Sequence, residues 1–274
     1  MCGICGFVGK VESQGIVLES MMQELYHCEE DDLGEYYWEN GAMAFRQDEV
    51  VEVKGCHQPR VSDDGRLALV CDGVITNAKT LRKRLETAGY TFRCDGDKEV
   101  ILHAYEEYGE EIVNYLEGSY ALVIWDRKEE RLFAARDAEG GRPLYYALIG
   151  GRLAFATSLG SILAFVSFLG KAAMPTGGQE EAQYLPRGIY ELEAGQDFRY
   201  EKNLLKLQCY CPEEIEQREQ ENFENPHEAK SQEEEIKKRF RHRSLEYYTI
   251  CFKDGRTGRG TAQLEDRRRQ SWME

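Results

Sequence analysis

A cysteine directly follows the initiator methionine in the opening stretch MCGICGFVG. If Met1 is removed, Cys2 carries both a thiol and a free α-amine. An α-amine titrates at about 7.7 to 8.0 and a thiol at about 8.5, so the amine can take the thiol proton near neutral pH and later hand a proton to a departing amine. The pattern therefore indicates a nucleophile on the first residue of a short buried strand. The alternative is an ordinary small buried residue near a terminus.

The other cysteines favour neither a disulfide framework nor a metal centre. The chain has nine cysteines, and their spacing is not that of a disulfide scaffold, which favours a reducing compartment. Cys2 and Cys5 form a CxxC pair, whereas Cys209 and Cys211 form a CxC pair in a polar stretch. The second spacing does not suit a four-sulfur zinc site. We therefore predict no metal and no cofactor.

Helical patterns place two clear helices in the first part of the chain. Residues 78 to 88 carry apolar side chains on one face and are followed by Gly89, the residue type favoured just past a helix end. A second helix begins near Asp97, and its apolar pattern continues up to Gly118. A third and weaker helical pattern covers residues 16 to 27.

Short β-rich runs alternate with these helices and predict antiparallel strands. Gly150 and Gly151 separate two runs in the manner of a tight hairpin. Several runs are apolar on both faces, so each sheet needs helices on one side and a second sheet on the other. The sequence therefore predicts a layered α+β domain. The runs are GRLALVCDGVI, YALVIWD, RLFAARD and PLYYALIGGRLAFATS.

Composition limits the partners and the extent of the folded domain. A net charge of −15 argues against sequence-independent binding to nucleic acid or to an anionic membrane. No apolar run approaches the roughly 20 residues of a membrane span, and the start lacks a signal-peptide pattern, so we predict a cytoplasmic protein. The composition changes near residue 205. Residues 2 to 205 are predicted to form the domain, and residues 206 to 274 a charged tail that is poorly ordered or partly helical.

Seven segments, taken with their order and spacing, resemble the glutamine-hydrolysing domain of class II glutamine amidotransferases, and within that class the asparagine synthetases. The resemblance covers about residues 2 to 205. It implies an N-terminal nucleophile hydrolase fold, a four-layer αββα sandwich, which agrees with the layers predicted above. The segments are CGICGFVG at the start, DGVITN at 72 to 77, GYTFRCDGDKEVIL at 89 to 102, LEGSYALVIWD at 116 to 126, ARDAEGGRPLYY at 135 to 146, FATS at 155 to 158 and LPRGIYEL at 185 to 192.

The resemblance implies a reaction and assigns its catalytic positions. In this family the first cysteine attacks the side-chain amide of glutamine, ammonia leaves, and the thioester is hydrolysed to glutamate. Cys2 is then the nucleophile, and the backbone N–H of Gly73 is an oxyanion donor, with Asp72 beside it. The implied substrate is a small molecule, glutamine or a related amide. A bend or bulge glycine is the alternative role for Gly73.

Three further positions are implied to bind the substrate. Asp97 is the ligand of the substrate α-ammonium, and Gly96 and Gln47 occupy the neighbouring substrate-binding positions. Asp97 also precedes the helical run KEVILHAY, which predicts a helix N-cap. Capping leaves one carboxylate oxygen available, so both roles are compatible.

Three departures from the family pattern concern the site. Asp72 stands where the family has an asparagine that donates to the oxyanion, and loss of such a donor elsewhere costs about 2.7 to 4 kcal/mol of transition-state stabilisation. Gln47 stands where the family has an arginine that pairs with the substrate carboxylate, and Arg46 should point to the opposite face of its strand. The segment YHCEEDDLG at 26 to 34 lacks the family's arginine-glycine-proline run after His27.

These departures leave other readings open. The protein is either a working amidohydrolase with an altered site or a catalytically impaired descendant that serves as a binding or regulatory module. The chain has no SGGxDS phosphate loop of the kind in complete asparagine synthetases. The segment GRTGRG at 255 to 260 lacks the preceding buried strand and the following amphipathic helix that a phosphate loop requires. A separate ATP-using synthetase subunit is therefore a candidate partner, docking on the charged tail. A homodimer is also left open.

Overall fold

The computed structural model describes residues 2–25, 31–48, 57–170, 188–210, 246–251 and 257–262. Within these residues, two antiparallel sheets pack face to face, and helices cover the outer face of each sheet. This arrangement confirms the α+β sandwich of four αββα layers.

The elements alternate along the chain rather than forming separate halves. The helices are α1 (Gln14–Gln23), α2 (Ala78–Thr87), α3 (Asp97–Tyr108) and α4 (Leu159–Phe168), with a 3-10 helix at Gly109–Asn114. The first sheet contains β1 (Cys2–Val8), β2 (Asp31–Trp38), β3 (Gly41–Asp48), β8 (Tyr145–Ile149), β9 (Arg152–Ala156) and β10 (Ile189–Glu191). The second sheet contains β4 (Arg60–Val61), β5 (Leu67–Ile75), β6 (Gly118–Asp126), β7 (Arg131–Arg136), β11 (Gln196–Glu201), β12 (Leu204–Cys209), β13 (Glu246–Cys251) and β14 (Thr257–Ala262).

The two strands that matter most for the site lie inside their sheets. The first sheet has the order β10-β8-β9-β1-β3-β2, and the second has the order β14-β13-β12-β11-β7-β6-β5-β4. In the first sheet β1 is paired on both sides, and in the second sheet β5 lies between β6 and the two-residue strand β4. Both strands are therefore held by a neighbour on each side, and they contact each other across the sandwich.

Strand alternation produces three separate cores. On β1, Ile4 packs between the sheets, while Cys5 packs on the helix side with α1 and α4. On β5, Val70 packs between the sheets, while Cys71 packs on the side of α2 and α3. Because both faces of these strands are buried, their sequences are apolar at successive positions, as the sequence indicated.

The helix predictions hold at their starts better than at their ends. Helix α2 covers Ala78–Thr87, and Gly89 has φ +100° while its N–H donates to the carbonyl of Glu86 at 3.0 Å. Helix α3 begins at Asp97 as predicted, but it ends at Tyr108. Continuation of one helix up to Gly118 was wrong, because Gly109 has φ +60° and the chain continues as a 3-10 helix.

Hairpins account for most of the strand connections. Gly150 and Gly151 have φ +57° and +74°, which confirms the predicted tight turn between β8 and β9. The hairpin of β2 and β3 was not predicted. On β2, Leu33 and Tyr37 are exposed although the strand is part of the first sheet, so the usual alternation of buried apolar residues is missing.

The folded core extends to Tyr210. Strand β12 continues to Cys209, and the Tyr210 hydroxyl donates to the carbonyl of Arg136 at 2.5 Å while its side chain is 6% exposed. Of the predicted tail, the structure also describes the strands β13 and β14, which extend the second sheet beyond β12. The other residues of the tail lie outside the described residues, and the division near residue 205 stays a prediction.

Candidate active site

Cys2 is the first residue of β1 and lies opposite Gln47 of β3 in the strand register. In the same alternation, Ile4 packs between the sheets, as does Phe45 on β3. The positions of the predicted nucleophile and of Gln47 therefore meet at one end of the first sheet.

Arg46 lies on the other face of β3. Its Nη1 donates to the carbonyl of Met22 in α1 at 3.3 Å. The side chain is thus on the helical side of the first sheet, as strand alternation predicts. It does not take over the position of the arginine that Gln47 replaces.

Asp72 is a buried carboxylate on β5, on the face that looks toward the first sheet. Its side chain shares the alternation of Ala68 and Val70, and the residue is 3% exposed. Among the described residues, no hydrogen bond reaches its Oδ1, and the nearest cation is Arg142, whose Nε lies 3.7 Å away. Burial raises the pKa of Asp72 to about 6, and the charges of Arg142 and Lys98 oppose that rise.

Gly73 follows in a conformation that requires glycine. Its φ is +121°, and a Cβ atom there would lie 2.0 Å from the carbonyl oxygen of Ser119 on β6. The carbonyl of Gly73 accepts a hydrogen bond from Lys98 Nζ at 2.6 Å. The bend-glycine role therefore applies, and it leaves the predicted role of the Gly73 N–H open.

Asp97 contacts the end of β5, but it is not the N-cap residue of α3. The N-cap residue is Gly96, with φ −75° and ψ 152°, and Asp97 is the first residue inside the helix. The expectation of an Asp97 N-cap was therefore wrong. Its Oδ2 accepts hydrogen bonds from the N–H of Ile75 at 2.9 Å and from Lys98 Nζ at 3.2 Å, and Lys98 Nζ lies 3.1 Å from Oδ1. The carboxylate thus joins the end of β5 to the start of α3.

Glu99 positions the segment that leads to Asp97, a role the sequence did not reveal. Its Oε2 accepts hydrogen bonds from the N–H groups of Arg93 and Cys94 at 3.0 and 2.8 Å. Its Oε1 accepts from Arg60 Nη2 at 2.7 Å, and the residue is only 4% exposed. Burial works to raise the pKa of Glu99, but these hydrogen bonds and the Arg60 charge hold it below its ordinary value.

Gln58 anchors a second segment beside Asp72. Its Oε1 accepts from the N–H of Cys71 at 2.7 Å, and its Nε2 donates to the carbonyl of Cys71 at 3.1 Å. Both hydrogen bonds are buried. These two hydrogen bonds fix the HQPR segment against β5. A side-chain amide here pairs with the strand backbone as a neighbouring strand would, and no sequence pattern predicts such a contact.

The described cysteines differ in state. Cys5 and Cys71 are buried, Cys209 is exposed, and burial raises the pKa of the Cys5 thiol. Cys94 is disulfide-bonded, which the cysteine spacing did not predict. In the part of the chain that the structure describes, no group of three or more His, Cys, Asp or Glu side chains is arranged to hold a metal ion. His27 and Cys211 lie outside the described residues.

A cleft of about 730 Å³ lies at the opposite end of β1, around Val8 and Gly9. It also contacts Trp38 and Trp125, whose rings stack with centroids 4.7 Å apart. Asp72, Gly73 and Asp97 are not part of it. The ionisable side chains of Asp72, Asp97, Lys98 and Arg142 thus lie outside this cleft.

Comparison with known proteins adds to this geometry. A family model described as a glutamine amidotransferase domain matches residues 1–211. The chain is 34% identical to glutamine-hydrolysing asparagine synthetase 1 of Bacillus subtilis over 162 residues, which are 56% of this chain and 26% of that protein. It is 36% identical to glutamine-hydrolysing asparagine synthetase 3 of Arabidopsis thaliana over 149 residues, which are 53% of this chain and 25% of that protein. The chain therefore spans about a quarter of the length of these relatives.

A solved structure shares the fold. The glutamine phosphoribosylpyrophosphate amidotransferase of B. subtilis, complexed with ADP and GMP, superposes with a TM-score of 0.58 at 20% identity. The match covers 77% of this chain and 49% of that chain. No helix among the described residues is long and apolar enough to cross a membrane.

Proposed function

Because this chain belongs to the glutamine amidotransferase domain family, we propose that it hydrolyses a side-chain carboxamide through the thiolate of Cys2. One observation carries the proposal. Cys2 begins β1, and β1 and β5 are in contact across the interior. The far end of β1, at Val8, lies with Trp125, which pairs with Ala68 near the start of β5, so Cys2 is toward the end of β5 that bends at Gly73. Asp72 lies on the inner face of β5 at that bend. The proposal assigns the nucleophile to the first residue of β1 and the group that acts on the developing oxyanion to this part of β5.

The reaction is an acyl transfer to sulfur followed by hydrolysis. The Cys2 thiolate bonds to the amide carbon, and the carbonyl electron pair moves to oxygen. When the carbonyl re-forms, the C–N bond breaks and the nitrogen leaves as ammonia after receiving a proton. Water then attacks the thioester, giving a carboxylic acid and returning the thiol. After removal of Met1, the α-amine of Cys2 carries the protons in both steps.

Asp72 stands where the family resemblance implies an asparagine. An ionised carboxylate accepts hydrogen bonds and donates none, so it opposes an oxyanion, whereas a protonated Asp72 donates. With a pKa of about 6, the donor form of Asp72 is the minor one at neutral pH. Lys98 and Arg142 offset the charge of the ionised form. We therefore propose an active but altered amidohydrolase, with the Gly73 N–H as the second donor.

The released ammonia needs an acceptor. The relatives named above are glutamine-hydrolysing asparagine synthetases, and this chain spans about a quarter of their length. We propose that the ammonia passes to an ATP-using synthetase unit, either on the same polypeptide or on a separate subunit. We also propose a cytoplasmic location, in keeping with such metabolism.

The test is ammonia and carboxylate release by the purified protein, compared with a Cys2→Ala variant. We expect glutamine turnover, even if slow, and its loss by about a thousandfold or more in the variant, as for other acyl-transfer nucleophiles. Cys209→Ala is the matched control, because Cys209 is an exposed cysteine at the end of β12, and it should keep full activity. Intact mass spectrometry checks the removal of Met1. Turnover that survives in Cys2→Ala, or its absence from the unmodified protein with every carboxamide tried, contradicts the proposal.

A further inference from the structure

Lys98 forms an ion pair with Asp97, the carboxylate to which the ammonium group of the substrate is expected to bind. Its Nζ hydrogen-bonds to Asp97 Oδ2 at 3.2 Å and lies 3.1 Å from Oδ1. The two side chains are 12% and 21% exposed, so the pair is largely removed from water. The remaining described donor to Asp97 is the backbone N–H of Ile75. Both carboxylate oxygens are therefore already engaged by groups of this chain.

The Lys98 ammonium is held in place from a second direction. Its Nζ donates to the carbonyl of Gly73 at 2.6 Å. Gly73 is fixed by its close approach to Ser119, and Asp97 is fixed by Ile75, so the lysine joins two rigid parts of the site. A ligand that displaces Lys98 from Asp97 must also break the contact with Gly73.

Charge then decides which ligand groups fit. Arg142 is the second cation near Asp72, and position 47 carries a neutral glutamine. An incoming α-ammonium next to Asp97 would lie within a few ångströms of the Lys98 ammonium, where like charges repel. A carboxylate approaching the same place meets a cation instead.

From this arrangement we propose that Lys98 determines the substrate class, so that the site selects amides that carry a carboxylate but no α-ammonium group. The simplest such compound is glutaramate, which is glutamine with hydrogen in place of the α-amino group. This inference rests on the proposed function, because it concerns the same site. Hydrolysis of glutaramate would release ammonia and glutarate by the steps given above, with no additional reactant.

Binding is measured separately from turnover, so that a failure of the proposed substrate class can be distinguished from a failure of the proposed hydrolysis. The Cys2→Ala protein is titrated with glutamine and with glutaramate in a calorimeter. We expect glutaramate to bind at least about tenfold more tightly, a modest value for one unscreened charge contact. The same titrations are then made in Cys2→Ala combined with Lys98→Met, which keeps an unbranched side chain, shorter only by the terminal nitrogen, and removes the charge.

In the double variant we expect the preference to fall by at least about tenfold, because Asp97 becomes available to the ammonium of glutamine. Lys98→Arg in the same background keeps the charge and should keep the preference. Lys79→Met, an exposed lysine on α2, is the control for loss of a distant charge and should change nothing. A merely structural role for Lys98 would weaken both ligands equally.

Three outcomes overturn the inference. They are tighter binding of glutamine than of glutaramate to Cys2→Ala, no measurable binding of glutaramate at millimolar concentration, and an unchanged preference in a folded Lys98→Met protein. If Lys98→Met does not fold, Lys98→Arg and Lys98→Gln supply the comparison. If the binding preference is found but neither amide is hydrolysed, the substrate class stands and the proposed hydrolysis fails.

Discussion

Asp72 and its two neighbouring cations form an electrostatic unit at the residue scale. Burial makes the carboxylate costly to ionise, while Arg142 and Lys98 lower that cost, and the resulting pKa of about 6 lies close to neutral pH. From the sequence alone, Asp72 is simply the loss of a hydrogen-bond donor. With a pKa of about 6, Asp72 is mainly a hydrogen-bond donor below about pH 6 and an acceptor above it, so the proposed mechanism predicts a pH-dependent effect on catalysis.

Replacing Asp72 by asparagine tests this dependence. Asparagine donates at every pH, whereas Asp72 donates only when protonated, about nine-tenths of the molecules at pH 5 and one-tenth at pH 7 for a pKa of about 6. We therefore expect the ratio of Asp72→Asn turnover to unmodified turnover to rise about tenfold from pH 5 to pH 7. The measurement is kcat for the better carboxamide substrate across that range.

The control for this series is Asp63→Asn, because Asp63 is an exposed aspartate outside the site. Its ratio should not change with pH. A constant ratio for Asp72→Asn would show that the proton on Asp72 takes no part in catalysis.

Positions that depend on the neighbouring sequence were predictable, whereas contacts between residues far apart in the sequence were not. The motif around Gly73 and the start of α3 at Asp97 follow from local sequence. Arg142 reaches Asp72 from 70 positions along the chain, and its role depends on how β5, β6 and β7 are assembled. Lys98 is adjacent to a predicted residue, but its contact with Gly73 becomes visible only once α3 is placed against β5.

At the element scale, one buried acid orders the segment that precedes α3. Glu99 lies in the first turn of the helix and turns back to accept the N–H groups of Arg93 and Cys94, while Arg60 reaches it from β4. A helix, a strand and a segment without regular structure are thus joined at one carboxylate. This junction explains how a segment without its own secondary structure presents Gly96 and Asp97 to the site.

Glu99→Gln should therefore destabilise the domain. The amide keeps one acceptor but places a donor against existing donors and leaves Arg60 with a weaker partner, so we expect a loss of about 2 to 4 kcal/mol in the free energy of unfolding at pH 7. The folded pKa of Glu99 lies below its ordinary value. Its carboxylate thus stabilises the fold fully above the unfolded pKa, and this stabilisation is lost as pH falls through the folded pKa.

Urea unfolding at pH 7 and at pH 3.5 to 4 measures both parts of this prediction. The difference between Glu99→Gln and the unmodified protein should shrink at the lower pH. Glu86→Gln, on an exposed position of α2, should stay within about 0.5 kcal/mol. An equally small effect for Glu99→Gln would mean that the segment is held by other contacts.

Local signals explain which elements were predictable. Helix α2 has apolar positions on one face and a terminal glycine, and the β8–β9 turn has two glycines with positive φ. Strand β2 has neither signal, because its outward positions include the exposed Leu33 and Tyr37. The end of α3 was missed because the apolar spacing continues through the 3-10 helix, where Ile112 and Val113 are buried as they would be in an α-helix.

At the scale of the whole molecule, the layers follow from the sequence and the strand order does not. Strands that are apolar on both faces require cover on both sides, and the three cores provide it. The order within each sheet depends on pairings between distant segments, such as β1 with β9 and β7 with β11. Composition carries no record of these pairings, so the strand order was not predicted.

The limit of the folded domain gives the last prediction, which compares the fragments 1–210 and 1–205. The core reaches Tyr210, whose hydroxyl bonds to Arg136 and contacts the hydroxyl of Tyr120 at 3.1 Å. Ending the chain at residue 205 removes these hydrogen bonds, and it also removes the part of β12 that pairs with residues 196 to 199 of β11. It also uncovers Phe198, which is fully buried.

We expect the fragment 1–210 to unfold in urea within about 1 kcal/mol of the full chain, because β13 and β14 add edge strands after the core is closed. The fragment 1–205 should lose at least about 3 kcal/mol, since a buried tyrosine and four residue pairs between β11 and β12 are missing. Equal stability of the two fragments would move the boundary back to the composition change near residue 205. Loss of folding in both would show that the edge strands, and not Tyr210, complete the second sheet.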